Sequence, residues 1–143
     1  IAGGVNNLNQ PDVVAVGNTG ITSNGFNLIG NRGGVTFGGT SDQSGTGASL
    51  LNPRLGAIAN NGGPTQTHSL LGGSPALDRG SNSGSPLPTT DQRGSGFIRT
   101  VDSGIPNAAS GDGTDIGAFE SAAIPGCSIA STPIAVVVLR TEH

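Results

Sequence analysis

Glycine, asparagine, serine and threonine interrupt the apolar runs of this chain, and this interruption limits the folds open to it more than any other feature. No window of about 12 residues shows the 3.6-residue apolar period of an amphipathic helix. The chain has 26 glycines and 9 prolines among its 143 residues, and both residue types destabilise helix interiors. The pattern therefore predicts short strands joined by turns, with almost no helix.

The apolar runs between the turns are the candidate strands. They are Val13–Val16, Phe26–Ile29, Gly34–Phe37, Ser69–Leu71, Phe97–Val101 and Ile134–Leu139. Two further apolar stretches, Ala48–Leu51 and Leu55–Ala59, are interpreted as short helical turns or irregular anchors. All of these runs are short, which suits an all-β fold made of many small strands.

The first half of the chain carries a loose repeat. PDVVAVGNTG is followed by NGFNLIGNRG and then by GVTFGGTSDQ, and each unit is a short apolar strand with a Gly/Asn turn. Parallel β-helices are built from such units, whose strands stack at about 4.8 Å. Asparagine suits the bends because it tolerates left-handed backbone and its amide can bond to the asparagine above. The candidates for this role are Asn18, Asn24, Asn27 and Asn31.

A change in composition near Leu50 divides the chain into three parts. Residues 1–50 are predicted to form the last coils of the β-helix. Residues 51–120 contain six prolines, which central strands exclude, and are predicted to form a loop-rich cap. Residues 121–143 are interpreted as a linker and tail with one short apolar strand. The opening IAGGVNN suggests a fragment or a processed product.

Four motifs in the chain follow one another in a specific order. They are SNGFNLIG at Ser23–Gly30, NGGPTQTHSLLGGSPALDRG at Asn61–Gly80, TDQRG at Thr90–Gly94 and DIGAFE at Asp115–Glu120. Together they resemble the C-terminal part of the bacterial choice-of-anchor Q domain proteins. The resemblance implies a right-handed parallel β-helix that ends in a cap, export from the cell and surface attachment. It implies no catalytic residues.

The favoured function is that of a non-catalytic structural or adhesive domain of a secreted or surface-exposed bacterial protein. Candidate partners are an extracellular glycan or surface, and further copies that add through an open β-helix edge or through the Ile134–Leu139 strand. Two alternatives stay open. One is the terminal part of a β-helix polysaccharide lyase or glycoside hydrolase, and the other is a calcium-stabilised adhesin.

Charge and aromatic content argue against several other partners. The chain has six arginines, no lysine and a net charge of −3, so it lacks the basic stripe that nucleic acids require. It has four phenylalanines and no tyrosine or tryptophan, which disfavours an aromatic sugar-binding cleft. Its most apolar run, Ile134–Leu139, is far short of the ~20 residues of a membrane-spanning helix, so no membrane span is expected.

The charged residues of the motifs are Asp78, Arg79, Asp91, Arg93, Asp115 and Glu120. A pair of these acids could serve a glycosidase, which needs two carboxylates beside the scissile bond. The preferred interpretation is structural, because the acids lie in short glycine-containing motifs, ALDRG, TDQRG and DIGAFE, where a carboxylate can bind turn amides or an arginine. Arg93 is predicted to hold the cap together by pairing with Asp115, Glu120 or Asp78. No catalytic residue is assigned.

Metal and cofactor sites receive little support from the sequence. Asp112 and Asp115 are candidate calcium ligands in the loop GDGTD, but their spacing does not match an EF-hand, so a solvated turn is the preferred interpretation. His68 is interpreted as structural, because the only other soft ligands, Cys127 and His143, stand in the tail. No cofactor is expected.

Overall fold

The computed structural model describes residues 10–15, 21–83 and 87–122. Within these ranges the chain forms no helix, and its four short strands are β1 (Leu28–Ile29), β2 (Gln43–Ser44), β3 (Leu55–Ala59) and β4 (Thr67–Leu70). They form two sheets of two strands each, β1 with β2 and β3 with β4. The predicted scarcity of helix is confirmed for this part of the chain, and the small sheets are compatible with an all-β fold.

β1 and β2 are parallel, as the repeat predicts for neighbouring coils. Leu28 lies opposite Gln43, and Ile29 lies opposite Ser44. The main chain continues the pairing beyond the strands, because the N–H of Arg32 donates to the carbonyl of Gly45 at 3.0 Å. Two parallel strands of two residues each do not by themselves make a β-helix.

The turn before each of these strands is fixed by a carboxylate. Asp42 accepts the main-chain N–H of Asn27 at 3.0 Å and its side-chain amide at 2.9 Å, across a separation of 15 residues. Gly25 has a φ of 99° and lies so close to the carbonyl of Thr40 that any Cβ would collide with it. The turn sequence therefore sets how closely the two segments approach.

The asparagines at the bends bind neighbouring segments of the chain, but they do not form the predicted ladder of asparagines. Asn27 bonds to Asp42 instead of to another asparagine. The buried amide of Asn31 donates to the carbonyl of Gln10 at 3.2 Å, and its oxygen accepts the N–H of Gly33. Asn24 is exposed, and Asn18 lies outside the described residues.

β3 and β4 form an antiparallel hairpin with a bulge between Leu55 and Ile58. The prediction for Leu55–Ala59 is wrong, because this segment is a strand and not a helical turn. The segment contains two alanines and a glycine, which carry little strand preference, and pairing with the threonine-containing β4 overrides that local signal. The candidate Ser69–Leu71 is displaced by one or two residues from β4.

The other candidate strands are shorter than predicted or absent. Phe26 has a φ of 56°, which excludes it from a strand and leaves only Leu28–Ile29 of that candidate. Gly34–Phe37 begins inside a turn that the N–H of Val35 closes on the carbonyl of Arg32, and it forms no strand. Phe97–Val101 contributes a single bridge, and residues 13–15 form no strand. Val16 and Ile134–Leu139 lie outside the described residues.

The apolar core is small. Among the described residues, one cluster of buried apolar side chains consists of Leu28, Ala76 and Ile116, with Leu51 and Leu70 packed against them. These residues come from segments far apart in sequence, and the N–H of Ile116 donates to the carbonyl of Ala76 at 2.9 Å. In the described ranges, no helix has the length and apolar character needed to cross a bilayer. Polar bonds must therefore organise much of the loop-rich half.

Candidate functional site

Four buried acids organise the main chain between residues 78 and 121. Asp78, Asp91, Asp115 and Glu120 are exposed by 0%, 6%, 1% and 2%, respectively. Burying a carboxylate is costly unless hydrogen bonds or a cation compensate for the lost water. All four acids lie in the motifs that the sequence singled out, and the structure places them in one connected network.

Asp78 fixes the loop at residues 103–105. Its carboxylate accepts the hydroxyl of Ser103 at 2.7 Å, the N–H of Ser103 at 3.2 Å and the N–H of Ile105 at 3.0 Å. The N–H of Asp78 itself donates to Oδ1 of Asp115 at 2.8 Å. Asp78 therefore joins the ALDRG turn to two other segments of the chain.

Asp115 and Glu120 continue the network within the DIGAFE motif. Oδ2 of Asp115 accepts the N–H of Ser121 at 2.7 Å. Oε1 of Glu120 accepts the N–H of Val101 at 2.9 Å, and both oxygens of Glu120 lie 3.2–3.3 Å from the N–H of Asp115. Arg99 is the neighbouring cation, with Nη1 at 3.3 Å from Oε2 of Glu120. The motif thus closes on itself and holds residue 101.

The close approach of these acids affects their protonation. Burial raises the pKa of Glu120 to about 7, the charge of Asp115 adds to the rise, and the N–H of Val101 and the charge of Arg99 oppose it. Burial also raises the pKa of Asp115 above its ordinary value, although the N–H groups of Ser121 and Asp78 work against this. The charged forms are therefore less favourable here than in water.

Stability should fall as the pH rises from about 4.5 to about 7. The unfolded chain releases the proton of Glu120 near its ordinary pKa of 4.5, whereas the folded chain keeps it to about 7. Folding is therefore favoured below pH 4.5, and this contribution of about 2–3 kcal/mol is lost across the window. Urea unfolding at closely spaced pH values measures the loss.

Glu120→Gln provides the test of this assignment, because glutamine does not titrate. The variant should lose most of the decline between pH 4.5 and 7, and the exposed Asp102→Asn should keep it. A free energy of unfolding that stays level or increases across this window in the unmodified protein would contradict the prediction.

Asp91 and Arg93 form the second part of the network. Nη2 of Arg93 lies 2.6 Å from Oδ2 of Asp91 and also donates to the carbonyl of Glu120 at 2.6 Å. The guanidinium is stacked between two rings, with Cζ at 4.0 Å from the centroid of Phe97 and 3.9 Å from that of Phe119. Burial opposes ionisation of Asp91, but the bonds from Arg93 and Glu120 hold its pKa below the ordinary value.

The predicted partner of Arg93 was the wrong carboxylate. Arg93 pairs with Asp91, two residues earlier, and reaches Glu120 only at the main-chain carbonyl. The short DQRG turn brings Asp91 and Arg93 to the same side, because the N–H of Arg93 also donates to Oδ1 of Asp91 at 2.8 Å. The side chain of Glu120 forms an ion pair with Arg99 instead, and the motifs did not predict this pair.

Arg99 had no motif to mark it, but a count of charges could have found it. Its second nitrogen, Nη2, donates to the carbonyl of Asp115 at 3.2 Å. With no lysine in the chain, a set of buried acids must draw its cations from six arginines. Arg99 is the arginine that falls between TDQRG and DIGAFE, and that position alone made it a candidate.

The carboxylates of the network are used to bind main-chain amides and are not presented at the surface as reactive groups. Each of the four carboxylates accepts at least one main-chain N–H, and none is exposed by more than 6%. A glycosidase places its two carboxylates on either side of a bond in a bound sugar. A polymer could reach these four acids only if the surrounding loops opened.

The two candidate calcium ligands hold loops in the same way. Oδ1 of Asp112 accepts the N–H of Thr114 at 3.1 Å, and Oδ2 accepts the N–H of Asn82 at 2.8 Å. Despite the effect of burial, bonds from Thr114 and Asn82 hold the pKa of Asp112 below its ordinary value. In the ranges that the structure describes, no three His, Cys, Asp or Glu side chains are grouped as metal ligands.

His68 is exposed on β4, where its Nδ1 lies 2.7 Å from the carbonyl of Gly56 on β3. This contact joins the two strands of the hairpin at the bulge. Cys127 and His143, the other two soft ligands, lie outside the described residues.

Comparison of the chain with protein-family models, curated proteins and solved structures found no match. The resemblance to choice-of-anchor Q domain proteins therefore stays a prediction from the motifs.

Proposed function

We propose that this chain supplies the final coils and the closing cap of a right-handed parallel β-helix, and that it is a non-catalytic structural or adhesive domain. It would belong to a secreted or surface-exposed bacterial protein. The parallel register of β1 and β2 supports the stacked coils, because consecutive turns of a β-helix pair in this way. The separation of 15 residues between Asn27 and Asp42 fits one short coil.

The proposal that the domain is non-catalytic rests on the hydrogen bonds that the buried acids make. The carboxylates of Asp78, Asp91, Asp115 and Glu120 bind main-chain amides and lie beneath the surface. A catalytic acid must reach its substrate to exchange a proton with it. Carboxylates with this burial and these partners suit a cap whose loops must keep a fixed shape.

A structural domain of this kind would act through its outer surface. Its candidate partners are an extracellular glycan or another surface, and further copies of the chain that add strands to an open edge. The edge that would expose unpaired groups near Ile1 lies outside the described residues. Self-association through it would lengthen the stack without any new chemistry.

Incubation with a panel of neutral and acidic polysaccharides tests the proposal. We expect retention on an immobilised glycan or none, but no release of reducing ends and no unsaturated products. Asp91→Asn should lower stability, and both Asp91→Asn and Glu120→Gln should leave any glycan retention unchanged at temperatures where they are folded. Turnover by the unmodified chain that disappears in a folded acid variant would overturn the non-catalytic assignment.

Chelation separates this proposal from a calcium-stabilised adhesin. Because Asp112 and Asp115 already bind main-chain amides, we expect the melting temperature to be the same with calcium and with excess chelator. A large drop on chelation, abolished by Asp112→Asn, would favour the adhesin instead.

A further inference from the structure

The sequence contains two Asn-Gly dipeptides, and both lie in described turns. Asn24–Gly25 precedes β1, and Asn61–Gly62 lies between β3 and β4. Asparagine limits the chemical lifetime of proteins, because the main-chain nitrogen of the next residue can attack its side-chain carbonyl carbon, Cγ. A glycine in the next position has no side chain to obstruct this attack. The two dipeptides are therefore the strongest candidates for this reaction.

The attacking nitrogens of the two dipeptides have matched surroundings. The N–H of Gly25 donates to Oγ of Ser23 at 3.0 Å, and the N–H of Gly62 donates to Oδ1 of Asn60 at 3.0 Å. Both glycines also have a positive φ, 99° at Gly25 and 104° at Gly62. We therefore expect a difference in reactivity to come mainly from the asparagine side chains.

The two asparagine side chains are held differently. Nδ2 of Asn61 donates to the carbonyl of Thr67 at 2.8 Å and to its hydroxyl at 3.0 Å, and Thr67 is only 5% exposed on β4. Asn24 is exposed, and no hydrogen bond holds its amide within the described ranges. Loss of the Asn61 amide as ammonia requires both bonds to Thr67 to break, whereas the Asn24 amide has none to break in this part of the chain.

We propose that Asn24 is a site of spontaneous deamidation in the folded protein and that Asn61 is protected from the same reaction. The nitrogen of Gly25 forms a bond to Cγ of Asn24, the Cγ–Nδ2 bond breaks, and the proton of the Gly25 N–H leaves with the amide as ammonia. Water then opens the resulting succinimide ring at one of its two carbonyls, which gives aspartate or isoaspartate. The reaction consumes only water. The assignment goes beyond the proposed function and does not depend on it, because it uses only the two turns.

The isoaspartyl product does not fit the turn before β1. It carries one more main-chain atom than aspartate, and Gly25 lies so close to the carbonyl of Thr40 that even a Cβ would collide there. The carbonyl of Gly25 also accepts the side-chain amide of Asn27 at 3.1 Å. Displacement of Gly25 therefore disturbs the segment that brings Asn27 to Asp42. Isoaspartate should loosen the pairing of β1 with β2, whereas aspartate at the same position only adds a charge.

Peptide mass spectrometry of the complete chain, incubated in mildly alkaline buffer at physiological temperature, tests the assignment. Breaking two hydrogen bonds of ordinary strength slows a reaction by roughly tenfold or more, so Asn24 should convert about tenfold faster than Asn61 or better in the folded protein. In urea the bonds to Thr67 are absent and the two rates should become similar. Equal or faster conversion of Asn61 in the folded protein would overturn the proposal. So would a ratio that persists in urea, or a folded Asn24 that does not react while the unfolded chain does.

Two variants at position 24 supply matched controls for the consequence. Asn24→Gln should block the reaction, because the longer side chain would have to close a six-membered ring. Asn24→Asp carries the added charge on an ordinary main chain, so the main-chain amides of Asn27 and Gln43, which bond across the two segments, should keep their hydrogen exchange rates. In the purified isoaspartyl product these amides should exchange several-fold faster. Exchange no faster than in Asn24→Asp would contradict the loosening of β1 and β2. None of these measurements bears on glycan turnover, so the proposed function stands or fails separately.

Discussion

Asp78→Ala should lower the free energy of unfolding by about 3–5 kcal/mol, the largest loss expected from any one acid. Asp78 is fully buried, and its removal leaves the N–H groups of Ser103 and Ile105 and the hydroxyl of Ser103 without an acceptor. Buried donors without partners cost about 1–3 kcal/mol each, and relaxation of the loop recovers part of that cost. Urea unfolding at pH 5 measures the difference.

Two matched variants make this result specific. Asp78→Asn keeps one acceptor oxygen and suits the positive φ of 52° at this position, so it should cost less than half as much. Asp102→Ala removes an exposed carboxylate that accepts one N–H, from Gly104, and should cost no more than about 1 kcal/mol. If Asp78→Ala were as mild as Asp102→Ala, Asp78 would not hold the loop.

Arg93→Ala should be nearly as damaging, at about 3–5 kcal/mol. The side chain of Asp91 is 0% exposed and that of Arg93 is 10% exposed, so the substitution leaves a buried charge without its cation. The stacking of the guanidinium on Phe97 and Phe119 and its bond to the carbonyl of Glu120 are lost as well. Thermal and urea unfolding near neutral pH measure the effect.

The geometry of Arg93 predicts how related variants should rank. Arg93→Lys keeps the charge but cannot reproduce the planar contacts, so its stability should lie between those of Arg93→Ala and the unmodified protein. Arg54→Ala removes an exposed arginine and should have little effect. The loss in Arg93→Ala should shrink in acid, because Asp91 has a lowered pKa and its contribution disappears as the pH falls through that value. Equal losses for Arg93→Ala and Arg54→Ala would contradict the assignment.

The composition was enough to predict a chain with little helix and short strands, but not where each strand would lie. Leu55–Ala59 has weak local strand preference and becomes a strand because β4 pairs with it. Phe26 lies in an apolar run and still adopts a positive φ, because its N–H must reach the carbonyl of Thr40 in the neighbouring turn. In both cases contacts between distant segments determine the backbone conformation, and a local sequence pattern carries no information about those contacts.

The residues of the network could be predicted more fully than their partners. The motifs marked Asp78, Asp91, Arg93, Asp115 and Glu120, because a charge in a short glycine-containing loop motif commonly binds turn amides or an oppositely charged side chain. Which carboxylate meets which arginine depends on how the loops cross. Arg93 forms an ion pair with Asp91, two residues earlier, and Glu120 forms an ion pair with Arg99, which lies in a segment without a motif.

Asp115 and Glu120 come late in the described part of the chain, and they bind the N–H groups of Asp78 and Val101 and the guanidinium of Arg99, which come earlier. During synthesis, the segments around Asp78, Arg99 and Val101 must wait for residue 120 to leave the ribosome before these bonds can form. The segments between residues 78 and 120 should therefore become ordered in one late step of folding. Nascent chains that stop short of Asp115 should remain sensitive to proteases.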